Sequence, residues 1–271
     1  MSKLLAFLGK PDPVAFEVFG YQIRWYAIMI SLGIMAGFFV FLRRGKSKGF
    51  KEDDLYDIFL WIIPCAVLGA RLYYVVFEWS YYSNHLSEIL AIWKGGLAIH
   101  GAILFGASAA LLVCRHKKIN FFSVTDLLAP SLALGQAIGR WGNYFNMEAH
   151  GTTTDLPWAI EVIEGGKVLS VHPTFLYESL WNMAVCLILI FIVSKKAKYH
   201  GSVTCWYFIL YSTGRFFIEA LRTDSLYFMG MRTAQIVSVL LILLSSAFII
   251  VQRKKGFFPM GEGEKKDKTD E

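Results

Sequence analysis

Long apolar runs alternate with short charged connections along nearly the whole chain. The runs cover Trp25–Leu42, Leu55–Phe77, Gly95–Cys114, Val124–Gly142, Phe175–Val193, Val203–Leu221 and Ala234–Val251. Each approaches or exceeds the roughly 18–20 residues that carry a helix across a bilayer. The pattern predicts an all-α polytopic membrane protein with about seven transmembrane helices. The connections alternate in charge. One set holds Arg43, Arg44, Lys46, Lys48 and Lys51, then Arg115, Lys117 and Lys118, then Lys195, Lys196 and Lys198, then the tail from Arg253. The other set is poor in cations, with Lys94, Lys167, Arg222 and Arg232 spread over its loops. Cytoplasmic loops attract the positive excess, so the N-terminus is expected outside and the C-terminus in the cytoplasm.

This division gives an N-terminal outer-face arm over 1–24, a transmembrane domain over 25–251 and a cytoplasmic tail over 252–271. The longest outer connection, 143–172, is expected to form a small outer cap. Within it, Trp158–Val162 and Val168–Val171 flank Glu164-Gly165-Gly166, which predicts a β-hairpin.

Composition agrees with a membrane protein: 55% of the 271 residues are hydrophobic and 18% charged. The formal charge of +6 would be a weak hint of nucleic acid, but the cations lie between apolar runs and read as topology. No nucleic-acid partner is expected. Pro11 and Pro13 interrupt the first residues, and Asp12 and Glu17 follow, so the arm does not read as a cleaved signal. Cys65, Cys114, Cys186 and Cys205 all fall in or beside apolar runs with no CxxC spacing. They read as small core residues, with no disulfide, metal site or cysteine nucleophile.

Candidate chemistry comes from charges inside the spans. An ionisable side chain there costs roughly 2.5–3.5 kcal/mol on insertion scales and needs a reason. Arg71, His100, Arg140, Glu178, Arg215 and Glu219 all lie in predicted spans. At about 1.5 Å rise per residue, all fall within ~10 Å of the outer boundary, and Tyr26 starts its span at the same level. Snorkelling or a structural ion pair explains any one of them, but not the layer. A polar cavity open to the outer headgroups does. Asp126 is the exception, near a cytoplasmic helix start, where capping or a first-turn role suffices.

Tyr211, Arg215, Glu219 and Arg222 recur at helical spacing and are expected on one helix face, as are Arg140 and Asn143. Two arginine stripes at headgroup depth suit a phosphate, because planar guanidinium groups bind phosphate oxygens in pairs. His100, set among Gly95, Gly96 and Gly101, suits proton abstraction near neutral pH; a packing histidine is the alternative.

The segment Gly139-Arg140-Trp141-Gly142-Asn143-Tyr144-Phe145-Asn146-Met147-Glu148-Ala149-His150-Gly151 resembles the signature of the bacterial prolipoprotein diacylglyceryl transferases, G-R-x-G-N-F-x-N-x-E-x-x-G. It departs once, with Tyr144 in place of Phe. Four further segments are similar to the same family: Gly95–Gly101 to G-G-x-x-x-H-G, Gly69–Tyr74 to G-x-R-x-x-Y, His172–Glu178 to H-P-x-x-x-Y-E, and Tyr211–Arg222 to Y-x-x-x-R-x-x-x-E-x-x-R.

The resemblance implies an enzyme of the bacterial cytoplasmic membrane, working at its outer face. The implied donor is phosphatidylglycerol. The implied acceptor is the lipobox cysteine in a prolipoprotein signal peptide. The products would be a diacylglyceryl thioether and glycerol 1-phosphate, with no metal or organic cofactor. Under this reading His100 takes the thiol proton, while Arg140 and Arg215 hold the phosphate. Tyr26, Asn143 and Asn146 orient the headgroup. Arg71, Tyr211 and Arg222 line the site, Glu148 and Glu219 position arginines, and Gly151 permits a turn. Two rivals remain. A transporter or lipid-binding module predicts polar groups continuing to the cytoplasmic side, and few are present. A hydrolase or acyltransferase with a serine nucleophile predicts G-x-S-x-G, which the sequence lacks.

Overall fold

The computed structural model describes residues 12–260. Residues 1–11 of the expected arm and 261–271 of the expected tail lie outside the described residues. Seven long helices follow the apolar runs: α1 (Trp25–Ser47), α2 (Glu52–Phe77), α3 (Ile99–Lys117), α4 (Phe121–Phe145), α5 (Thr174–Lys196), α6 (Ser202–Glu219) and α7 (Thr233–Lys255). Six of them are long and apolar enough to cross a membrane. The exception is α6, whose length of 18 residues suffices but whose Arg215, Glu219, tyrosines and hydroxyls make it less apolar. The chain is a multi-pass membrane protein.

Three antiparallel hairpins accompany the helices: β1 (Val14–Val18) with β2 (Tyr21–Arg24), β3 (Ile160–Glu164) with β4 (Lys167–Val171), and β5 (Tyr227–Phe228) with β6 (Met231–Arg232). The β3–β4 hairpin is the expected one, closed by Gly165 and Gly166 at φ 57° and 77°. The first hairpin turns at Phe19-Gly20 and the third at Met229-Gly230, again with positive φ at both turn residues. Within the arm, the first hairpin runs directly into Trp25. Its Pro13 carbonyl accepts a hydrogen bond from the Trp25 amide, which ties the hairpin to the start of α1.

The chain divides into two compact units, one comprising residues up to 40 and from 125 onward, the other Phe41–Val124. In the first, Gly33 and Gly37 of α1 lie against the backbone of Gly135 and Ser131 of α4. This small-x-x-x-small spacing lets helix backbones approach where no hydrophobic force drives association. Ala129, Ala133, Val185, Cys186, Leu189, Val203 and Tyr207 form a core shared by α4, α5 and α6. The β3–β4 hairpin packs Ile160, Val162 and Val171 on Tyr144 and Phe175, forming a small cap over the ends of α4 and α5. Asp126 caps a helix, but not its own. Its carboxylate accepts from the Gly201 and Thr204 amides and the Thr204 hydroxyl at 2.7–2.9 Å, closing the N-terminus of α6.

In the second unit, α2 and α3 pack as an antiparallel pair. At one end Lys117 meets Asp54 and Asp57, each at 2.6 Å. At the other, Gly69 and Gly101 touch through their backbones. A Cβ on Gly101 would stand 2.1 Å from the Gly69 carbonyl oxygen, and one on Gly69 would stand 2.7 Å from that of Gly101. Gly101→Ala is expected to destabilise the purified protein by about 1–3 kcal/mol, the usual cost of overpacking. Thermal unfolding in detergent checks this, and an unchanged midpoint would show that the helices can part at no cost.

The run from Gly95 is not helical over its first residues. Gly95 has φ 89° and ψ −153°, and Gly96 φ 72°, values no α-helix accommodates. The helix starts at Ile99, so His100 sits in its first turn and not several residues deep.

Candidate active site

In the first unit Arg140, Arg215 and Arg222 meet on one carboxylate. Glu178, in the second turn of α5, has a side chain only 4% exposed. Arg140 of α4 approaches its Oε2 at 2.6 Å, and Arg215 of α6 its Oε1 at 2.8 Å. Arg222 donates from Nη1 to the same Oε1 at 3.2 Å. Neighbouring residues set this geometry. Trp141 donates its indole N–H to the Ser179 hydroxyl at 3.2 Å, and that hydroxyl donates to the Ala137 carbonyl at 2.8 Å. The α4–α5 contact is thus fixed one residue from both Arg140 and Glu178. On the other side, Trp181 donates to the Leu210 carbonyl at 2.9 Å and its ring lies against Gly214, next to Arg215. Tyr211, Arg215, Glu178 and Asn182 line a small recess there.

Glu219 is buried and pairs with Arg215 at 2.7 Å, one helical turn away. Arg222 does not extend the α6 face, because the helix ends at Glu219. It reaches the cluster from the following turn, held by two hydrogen bonds to Asp224 at 2.9 and 2.7 Å. Burial works to raise the Asp224 carboxyl, but the hydrogen bonds and charge of Arg222 outweigh it and hold the group below the ordinary carboxylate range. Arg232, from β6, donates to the carbonyls of Glu219 and Arg222 and closes the α6 C-terminus.

Glu148 meets asparagines. Its Oε1 accepts from the side-chain amides of Asn143 at 2.9 Å and Asn146 at 3.3 Å. Asn143 Oδ1 in turn accepts from Arg140 at 3.4 Å, so Asn143 links Glu148 to Arg140. Asn146 Oδ1 is buried with no hydrogen-bond partner among the described residues. Tyr26, 39% exposed, lies directly over Gly142, and Trp25 stacks on Phe145 with ring centroids 5.0 Å apart. Gly151 does not form a turn; the left-handed residues are Met147 and Ala149. Gly151 instead bridges to Arg222, where a Cβ would stand 2.7 Å from His172 Cβ and 3.1 Å from the Leu221 carbonyl oxygen. Only glycine lets the signature loop lie against the Arg222 segment.

The second unit holds Arg71 and His100. Arg71 is 3% exposed and donates to the carbonyls of Ile89, Gly95, Gly96 and Glu88 at 2.6–3.0 Å, with its guanidinium over the Tyr82 ring. Four of its five N–H donors are thus committed to the main chain, and the residue clamps the loop that leads to α3. His100 is exposed, with its ring against Tyr73 at a centroid distance of 5.9 Å.

Residues 13–251 match the family model described as prolipoprotein diacylglyceryl transferase. The chain belongs to that family. A phosphatidylglycerol–prolipoprotein diacylglyceryl transferase of Finegoldia magna is 47% identical over 243 residues, covering 90% of this chain and 95% of that one. One from Clostridium kluyveri is 49% identical over 251 residues, covering 90% and 98%. One from Streptococcus uberis is 42% identical over 253 residues, covering 92% and 98%. The family match runs from the first hairpin to the last helix and so contains every residue of the arginine cluster.

Glu178 reads from the sequence as a costly charge within a span and not as a site residue. Its partners lie 37, 38 and 44 residues away in sequence, beyond any helical periodicity. The available signal was the layer itself: Arg140, Arg215, Glu178 and Glu219 lie in spans at one depth, which implies that arginines and glutamates there serve as counter-ions to one another.

Proposed function

We propose that the protein moves the diacylglyceryl group of phosphatidylglycerol onto the lipobox cysteine of prolipoproteins, the first step of lipoprotein maturation, at the outer face of the bacterial cytoplasmic membrane. The observation that carries this reading is the convergence of Arg140, Arg215 and Arg222 on Glu178. Glu178 takes one N–H from each guanidinium, and each guanidinium carries five, so donors remain for phosphate oxygens. Asn146 Oδ1 is an acceptor suited to a hydroxyl of the glycerol headgroup.

In the reaction, the cysteine thiol gives its proton to His100 and the thiolate Sγ attacks the glyceryl carbon that bears the phosphate ester. The C–S bond forms as the C–O bond breaks. Glycerol 1-phosphate leaves with the bonding pair, and its charge is offset by Arg140 and Arg215. Tyr26, Asn143 and Asn146 orient the headgroup. Glu148, Glu219 and Glu178 hold the asparagines and arginines in place, and Arg71 fixes the approach to His100. Gly151 keeps the loop close, while Tyr211 and Arg222 complete the lining. Incubating the purified protein with phosphatidylglycerol and a lipobox peptide is expected to add a diacylglyceryl mass to the peptide. A peptide of unchanged mass, or one bearing a single acyl chain, would refute the assignment.

The proposed orientation puts this cluster at the outer leaflet. Reporter fusions after Lys46, Lys118, Lys196 and Lys266 are expected to report cytoplasm, and fusions near Tyr82, Gly165 and Leu226 outside. Two or more reversed reporters would overturn the orientation.

A further inference from the structure

A cavity lies at the other end of the helices that carry the arginine cluster. Glu178 stands near the start of α5 and Lys196 closes it, which at about 1.5 Å per residue separates the two sites by roughly 27 Å, close to a bilayer's hydrocarbon thickness. The cavity measures about 680 Å³ and opens between α5, α6 and α7, a size typical of small-ligand sites. Its walls are apolar and include Ile188, Ile192, Leu210 and Trp206. Its mouth carries Lys196, Lys198 and Arg253, all exposed, and no acidic side chain lines it among the described residues.

Local structure creates this space. Residues Leu189–Val193 form a π-helical turn in α5, and the Ser194 hydroxyl donates to the Leu189 carbonyl at 2.6 Å. Such a turn costs hydrogen-bond geometry and recurs at functional sites. It widens α5 where Ile192 and Val193 line the cavity. At the base, Gln252 is 1% exposed, accepts from the Ser202 hydroxyl at 3.0 Å and donates to the His200 carbonyl at 2.8 Å. The buried amide at the base is thus satisfied, and the feature left to explain is the group of three cations over an apolar hollow.

We propose that this cavity binds an anionic phospholipid of the leaflet opposite the arginine cluster, with a phosphate between Lys196, Lys198 and Arg253 and an acyl chain along the apolar walls. Basic pockets between helices at a membrane surface attract anionic headgroups in this way, and a zwitterionic headgroup gains less from three cations. The site takes no part in the transfer reaction and does not depend on that assignment.

Trp206, 37% exposed, reports on it directly. The full-length protein is placed in bilayers containing either brominated phosphatidic acid or brominated phosphatidylcholine at equal bromine density. The Trp206 contribution is the difference between wild type and Trp206→Phe. Phosphatidic acid is expected to quench this component at least about threefold more strongly than phosphatidylcholine. The variant Lys196→Gln/Lys198→Gln/Arg253→Gln should bring the ratio to about one while the other tryptophans are quenched as before. Equal quenching by the two lipids in wild type would overturn the proposal, as would a ratio untouched by the triple variant. Preferential quenching seen only after removal of residues 261–271 would assign the cavity to the chain's own tail and overturn it as well.

Discussion

Arg140→Lys and Arg215→Lys are each expected to lose about 10²–10³-fold in transfer rate while the protein inserts and purifies normally. Lysine keeps the positive charge, so a purely electrostatic role predicts a mild defect. The geometry predicts a severe one. Each guanidinium holds Glu178, and in the proposed role it keeps further N–H groups for the phosphate. Arg215 also pairs with Glu219 on its second terminal nitrogen. A lysine ammonium is one point with three donors on a flexible stem, and cannot present two edges at once. The loss should fall on the chemical step and not only on lipid affinity, because charge builds on the departing phosphate as the C–O bond breaks. Initial rates at saturating phosphatidylglycerol and peptide measure this. Near-normal turnover in both lysine variants would exclude a fork-dependent role.

Much of this architecture was legible from the chain, and the misses have physical causes. Hydrophobic run length located the helices, since a bilayer-spanning helix must hide its backbone within itself. The β3–β4 hairpin was legible because Gly165-Gly166 sits between alternating apolar residues. The two other hairpins turn at Phe19-Gly20 and Met229-Gly230, where a large apolar residue takes the left-handed position that usually signals Asn or Gly. The two-residue strands of the third hairpin are also too short for alternation to register. Gly95 and Gly96 ended a helix that hydropathy alone continued, because an apolar average is blind to φ. The arginine layer was legible as a depth. The counter-ion that unites it was not, because side-chain pairing between α4, α5 and α6 depends on helix rotation. Trp141 and Trp181 set that rotation through hydrogen bonds to another helix.

His100→Gln separates a base from a packing residue. The ring lies in the first turn of α3 and is exposed, with Tyr73 on one side. A residue so placed contributes little core, so the glutamine variant is expected to insert and retain phosphatidylglycerol as wild type does. Its turnover should fall by about 10²–10⁴-fold, the usual worth of a general base. The defect should also shrink with rising pH. A cysteine thiol ionises near pH 8.5, so towards that pH the acceptor supplies thiolate unaided and the base matters less. Asp224, which holds Arg222 in the cluster, does not distort this window. Asp224 is held below the ordinary carboxylate range, so its ionised form, and the stability it lends through Arg222, is fully present above about pH 4 and fades only as pH falls through its depressed value. The measurement is the ratio of wild-type to variant rates at two pH values about two units apart, with lipid binding assayed separately. A ratio that falls as pH rises identifies His100 as the proton acceptor. A flat ratio with lipid binding intact would leave it an orienting hydrogen-bond partner and assign the proton to water held near Glu148 or Glu219.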